Sequence, residues 1–193
     1  MVGQPLPVPA PHVVSRSIAS EAPSRMALLA SFALYQLGWF AAVLLAAHSR
    51  PWLAAAALVP FLALHLAYCA RPARELRLLA LAALIGLAWD SAVMATGWQH
   101  YAGGQVLAAL APLWVVVLWA QFATLLRGPL RWLRGRPLLA ALLGLVGGPL
   151  AWAGGARLGA VQLVPPMPAL LLQAAGWAAL TPCLIWLGAR HDA

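Results

Sequence analysis

A bundle of six transmembrane helices, with both chain ends in the cytoplasm, is the fold class this sequence predicts. Three observations predict it. Hydrophobic residues are 64% of the 193-residue chain and charged residues only 8%, whereas a soluble domain needs roughly a quarter of its residues charged to cover its surface. Six apolar runs approach the ~20 residues that a helix needs to cross a hydrocarbon core. The arginines between those runs alternate in density along the chain, the mark of a fixed orientation in the membrane.

The elements follow in order. Residues 1–25, "MVGQPLPVPAPHVVSRSIASEAPSR", carry prolines at positions 5, 7, 9 and 11 and no apolar core. That composition predicts a disordered or polyproline-II-like cytoplasmic tail. It lacks the apolar stretch and cleavage site of a signal peptide, so targeting falls to the first span as an uncleaved anchor. The transmembrane domain covers residues 26–188, with spans at 26–47, 52–70, 78–98, 106–126, 138–154 and 168–188, and residues 189–193 form a cytoplasmic tail. The fifth span is short, and Pro149 after Gly147 and Gly148 predicts a break or kink about midway. Ala140, Gly144 and Gly148 repeat every four residues in it, a stripe of small residues that lets two helices approach closely. That stripe predicts a place in the bundle interior.

The tail, the segments after the second and fourth spans and the C-terminus hold ten of the twelve arginines. Only Arg50 and Arg157 fall in the other set. The positive-inside rule then places both termini in the cytoplasm, across a bacterial inner membrane. The net charge of +8 is accordingly a matter of topology and lipid headgroups, and no nucleic-acid partner is expected. In "RGPLRWLRGRP", Arg127, Arg131, Arg134 and Arg136 predict an interfacial segment bound to anionic headgroups.

Polar residues inside the spans are the candidates for function. Asp90, in "LAALIGLAWDSAVMATGW", costs roughly 2.5–3.5 kcal/mol to place near a helix centre. It should face the bundle interior, with Ser91 and Gln36 as partners, as a general acid, proton carrier or ligand; the structural alternative is an interhelical hydrogen bond. His65 is the second candidate, and Gln36, Trp39, Trp89 and Gln121 are candidate substrate contacts. If their faces converge, a polar path runs from His65 and Gln121 through Gln36 to Asp90, while Gln173 lies in the outer half of the sixth span. A metal site needs three or four convergent ligands, and within the spans only Asp90 and His65 qualify, roughly two helical turns apart in depth. No metal and no cofactor are therefore expected. Cys69 and Cys183 belong to no metal or disulfide pattern and are expected to pack as small apolar residues. No nucleophile motif and no phosphate loop is present. Trp52, Trp98, Trp132 and Trp186 fall at interfaces, whereas Trp39, Trp89, Trp114 and Trp119 are deeper. There they either line a pocket for a lipid or isoprenoid tail or face lipid as bulky filler.

The blocks "YQLGWFAAVLLAAHSRPWL", "GLAWDSAVMATGWQHYAGG", "APLWVVVLWAQFATLLRGPLRWLRGRPLLAALLGLVGGPLAWAGGARLGAV" and "GWAALTPCLIWL" resemble the DUF2878 family of small bacterial membrane proteins. The resemblance runs from the first span to the last. Its most specific parts are Asp90 and the "PLW…FATLL…LRWLRGRP…GGPLAW" block, and the Pro-rich tail lies outside it. It brings no catalytic assignment, but implies a lipid-related setting and marks Gln36, Trp39, His48, Asp90, Trp114 and Arg131 as the positions to test.

Three functions compete. The first is an enzyme or accessory factor handling a lipid-soluble substrate within the bilayer, with Asp90 as the acid. The second is a small proton-coupled transporter, which the lack of an evident internal repeat makes less natural. The third is a structural subunit of a membrane complex, in which Asp90 is bundle glue. Membrane lipids are the partners expected in every case.

Overall fold

A computed structural model describes residues 24–190 of the chain, so the Pro-rich tail up to residue 23 and the last three residues lie outside it. Six helices dominate: α1 (Arg25–Ala47), α2 (Pro51–Ala67), α3 (Pro72–Ala95), α4 (Leu113–Ala123), α5 (Pro137–Arg157) and α6 (Pro166–Arg190). The starts are written locally. Ser24 Oγ accepts the Ala27 N–H and caps α1. An Arg-Pro pair opens each of α2, α3 and α5, with the proline at the first helical position, where its missing N–H costs nothing.

Of the six, α1, α3, α5 and α6 are long and apolar enough to cross a membrane. The fourth predicted span, 106–126, is the largest departure, because α4 has only 11 residues, about 16 Å of helix. Its apolar neighbours form turns on both sides. Seven of its residues are buried, and α4 packs between α2 and α3 with a face toward α1. The turns after α4 are sheltered, with Leu125 and Leu126 buried, the condition under which irregular backbone survives at membrane depth, whereas residues 106–109 before it are exposed. α2 also ends early, at Ala67.

Two further expectations are corrected. α5 is one continuous helix, so Pro149 does not break it, and it does not sit in the bundle interior. One face packs on α6, and the other exposes Leu138, Leu142, Val146 and Leu150. The small-residue stripe does lie on the contact face, since Ala140, Gly144 and Gly148 are all buried.

The helices lock by one repeated device. A Cβ on Gly86 of α3 would lie 2.0 Å from Trp119 of α4, one on Gly176 of α6 would lie 2.0 Å from Trp89, and one on Gly148 of α5 would lie 2.4 Å from Trp177. Gly38 of α1 makes the same room for the Gln121 side chain. Each glycine is thus the socket for a large side chain of a neighbouring helix, which is how these apolar helices acquire a fixed register without a hydrophobic driving force between them.

Sequence reading missed two short strands, β1 (Gln99–Tyr101) and β2 (Val161–Leu163), which pair antiparallel with His100 opposite Gln162. They tie the α3–α4 connection to the α5–α6 connection at one end of the bundle. Their use becomes clear at Asp90.

Candidate functional site

Only two carboxylates fall within the described residues, Asp90 and Glu75, and both are buried, at 0% and 1% exposure. Each anchors a separate polar cluster.

Asp90 accepts two short hydrogen bonds, from Tyr101 Oη on Oδ1 at 2.7 Å and from Trp119 Nε1 on Oδ2 at 2.6 Å. The Gln99 amide donates to Tyr101 Oη, Gln173 Nε2 donates to Gln99 Oε1 at 2.8 Å, and Trp89 Nε1 donates to Gln173 Oε1 at 3.1 Å. The donors form a directed chain that ends on the carboxyl group. β1 makes the arrangement possible by folding Gln99 and Tyr101 back over the end of α3. The expected partners Ser91 and Gln36 are not used: Ser91 Oγ accepts the Ala111 N–H at 2.9 Å, and Gln36 points elsewhere. Asp90 is fully buried, and it does not line the cleft on the far side of Trp119.

The cavity lies one indole away. A cleft of about 540 Å³ is lined by Tyr35, Gln36, Trp39, Trp119, Trp152 and Trp177, among other residues of α1, α4, α5 and α6. Trp119 and Trp177 stack with centroids 4.5 Å apart and planes 16° from parallel. At one end α1 and α5 converge, with Trp39 against Gly154. Phe32, Leu143 and Leu150, all exposed, form part of the lining, so the cleft opens on the apolar flank of the bundle. Its polar groups are few. The Gln36 amide makes no hydrogen bond within the described residues. The indole N–H of Trp152 and of Trp177 and the Thr181 hydroxyl are buried without a partner there.

The second cluster sits where α2 passes into α3. His65 Nε2 is 2.8 Å from Glu75 Oε1, and Arg127 Nη1 donates to Glu75 Oε2 at 2.6 Å. Cys69 Sγ lies 3.6 Å from the same His65 nitrogen. Burial pushes the Cys69 thiol up, the Glu75 carboxylate adds to this, and Arg127 opposes it.

The predicted site residues therefore divide. Gln36 and Trp39 line the cleft. Trp89 does not, since its ring fills the Gly176 socket and its N–H serves Gln173. Gln121 donates to the Tyr35 carbonyl at 3.3 Å. His65 belongs to the Glu75 cluster, so no polar path joins it to Asp90. Arg127 is committed to Glu75, whereas Arg131 and Arg136 are exposed and Arg134 is half-buried. His48 Nδ1 bonds the Leu44 carbonyl, and Trp114 donates to Gly103 O. Sequence reading missed Glu75, Gln99 and Tyr101. The available signals were the lone acid in the arginine-rich "RPARELR" and the polar "QHY" directly after the third span.

No curated protein and no solved structure matches the chain. The sequence model of one family, described as "Protein of unknown function (DUF2878)", matches residues 28–183, from the first turn of α1 into the last helix. On that match over most of its length, the chain belongs to the DUF2878 family.

Proposed function

We propose that the protein is a multi-pass protein of the bacterial inner membrane that binds a lipid-soluble molecule in the cleft between α1, α4, α5 and α6. All six helices lie within the membrane-embedded bundle and both termini face the cytoplasm. The arginine distribution supports that orientation, and the β1–β2 pairing fits an up-down bundle, because it holds the α3–α4 and α5–α6 connections at one end.

The observation that carries the binding reading is the cleft itself. Its volume of about 540 Å³ falls within the roughly 300–1,000 Å³ of small-molecule sites. Its walls are aromatic and aliphatic, its mouth is on the lipid-facing flank, and Gln36 offers one amide to a ligand carbonyl or hydroxyl. A ligand with an apolar body and one such polar group matches this lining. Asp90 acts through Trp119, which it holds in the cleft wall. A second reading, a substrate-handling enzyme or accessory factor with Asp90 as its acid, is favoured by one observation: a single indole separates that carboxylate from the cleft.

The test is mass spectrometry of small molecules that co-purify with the full-length protein in mild detergent, with Gly147→Phe as the blocking variant. Gly147 lines the cleft and a Cβ there meets nothing within 4 Å, so the new ring fills the space without disturbing the helices. One amphipathic species should be enriched over bulk lipid in the wild type and lost from Gly147→Phe. Gln36→Leu should weaken retention of that species about tenfold, the worth of one hydrogen bond of ~1.4 kcal/mol. Equal lipid profiles for wild type and Gly147→Phe would end this reading.

A further inference from the structure

Apart from the cleft, one cluster brings together residue types that ligate metals. His65 Nε2, Cys69 Sγ and a Glu75 carboxylate oxygen all lie within 4.8 Å of one another. They come from the last turn of α2, the connection after it and the first turn of α3. The arrangement is not a thiol–imidazole–carboxylate relay. In such an arrangement the nucleophile meets one ring nitrogen and the carboxylate the other, so that the carboxylate orients the ring that takes the nucleophile's proton. Here Cys69 at 3.6 Å and Glu75 at 2.8 Å both face Nε2. Three ligand atoms converging on one point is instead what a cation organises.

We propose that His65, Cys69 and Glu75 bind a divalent transition-metal ion of the zinc class. The donor set of one nitrogen, one sulfur and one oxygen suits a borderline-soft ion and argues against Mg²⁺ or Ca²⁺, which take oxygen ligands. The S···N separation of 3.6 Å is close to that of two ligands on a tetrahedral ion with Zn–S about 2.3 Å and Zn–N about 2.0 Å. The N···O separation is that of a hydrogen bond and must widen by roughly half an ångström when an ion replaces the shared proton. Arg127 grips the far oxygen of Glu75 and leaves Oε1 turned toward His65, the orienting contact that ligating carboxylates commonly have. Glu75 is buried while His65 and Cys69 are partly exposed, so the ion reaches the site from their side. With three protein ligands, the fourth position remains for water.

The test uses the full-length protein in detergent, stripped with a chelator and titrated with Zn²⁺, and with Co²⁺ as the spectroscopic probe. One equivalent of Zn²⁺ per chain is expected, and Co²⁺ should give a thiolate-to-metal charge-transfer band. Cys69→Ser should remove that band, and Cys69→Ser and His65→Ala should each weaken Zn²⁺ binding by at least ~10-fold. Cys183→Ser should leave both unchanged. Unfolding midpoints of the stripped proteins, measured alongside, separate lost ligation from lost structure. The proposal is overturned if wild type holds no more Zn²⁺ than the Cys69→Ser/His65→Ala double variant. It is equally overturned if wild-type Co²⁺ protein lacks the thiolate band, a result that needs no variant to fold.

Discussion

At Asp90 each carboxylate oxygen receives one donor, Tyr101 Oη on Oδ1 and Trp119 Nε1 on Oδ2. Asp90→Asn turns one of those oxygens into an N–H₂ that faces a hydroxyl or an indole N–H. Because Tyr101 Oη already accepts from Gln99, it cannot reverse its role without orphaning its own proton. The substitution should cost roughly 1–3 kcal/mol, the penalty of one unsatisfied buried polar group. Asp90→Ala strands both donors and should cost more, roughly 2–6 kcal/mol, twice the penalty of one unsatisfied buried polar group. Equilibrium unfolding in detergent or bicelles measures both, and an Asp90→Asn protein as stable as wild type would refute the directed-chain account. The same residue was legible in the sequence as buried and costly, because an acid amid apolar helix admits few other readings. Its partners were not legible, because Tyr101 and Gln99 reach it only after β1 folds back.

Between elements, the glycine sockets make predictions that separate neighbours on one helix. A Cβ on Gly144 would lie 2.1 Å from the Trp177 carbonyl oxygen, a backbone atom that cannot turn aside, so Gly144→Ala must push α5 from α6. A loss of roughly 1–3 kcal/mol is expected, the usual cost of overpacking. Gly147, three residues on, meets nothing, and Gly147→Ala should be neutral or stabilise by up to about 1 kcal/mol through helix propensity. Thermal unfolding of the pair checks this, and equal effects would show that the contact face is misassigned. On α3, Gly86→Ala drives a Cβ into the Trp119 ring. It should lower stability by a similar ~1–3 kcal/mol and shift the intrinsic fluorescence of the stacked Trp119–Trp177 pair. The stripe on α5 could be read from spacing alone. Which helix it faces could not, since spacing names a face and only packing names the partner.

Over the whole molecule, the prediction concerns orientation. Reporter fusions after Arg190 and within the α4–α5 connection should give cytoplasmic signals, and fusions near Gly103 or Ala160 should give periplasmic ones. Moving the arginine excess should redirect the chain, because these charges lie beside short connections where the positive-inside rule acts. Opposite signals from the two arginine-rich segments would overturn the arrangement. The broad exposed apolar face of α1 and α5, including Leu29, Leu37, Leu142 and Val146, needs lipid around it, because a soluble monomer rarely exposes an apolar patch of more than a few hundred Å².

The sequence by itself determined the chemistry of the surroundings: helices rather than sheets, lipid rather than water outside, and the family. These follow from composition and run length, which are local and additive along the chain. α4 is shorter than the 106–126 span for the same reason, since an apolar run of span length can also be a short buried helix flanked by turns. Only the tertiary structure decided where the polar residues meet. It moved Glu75 from an arginine-rich loop to a buried partnership with His65 and Arg127, sealed Asp90 behind Trp119, and opened the cleft beside Gln36 and Trp39. The physical reason is that hydrogen bonds and cavities depend on distances between residues far apart in the chain. Gln173 and Gln99 are 74 positions apart, and no local pattern could join them.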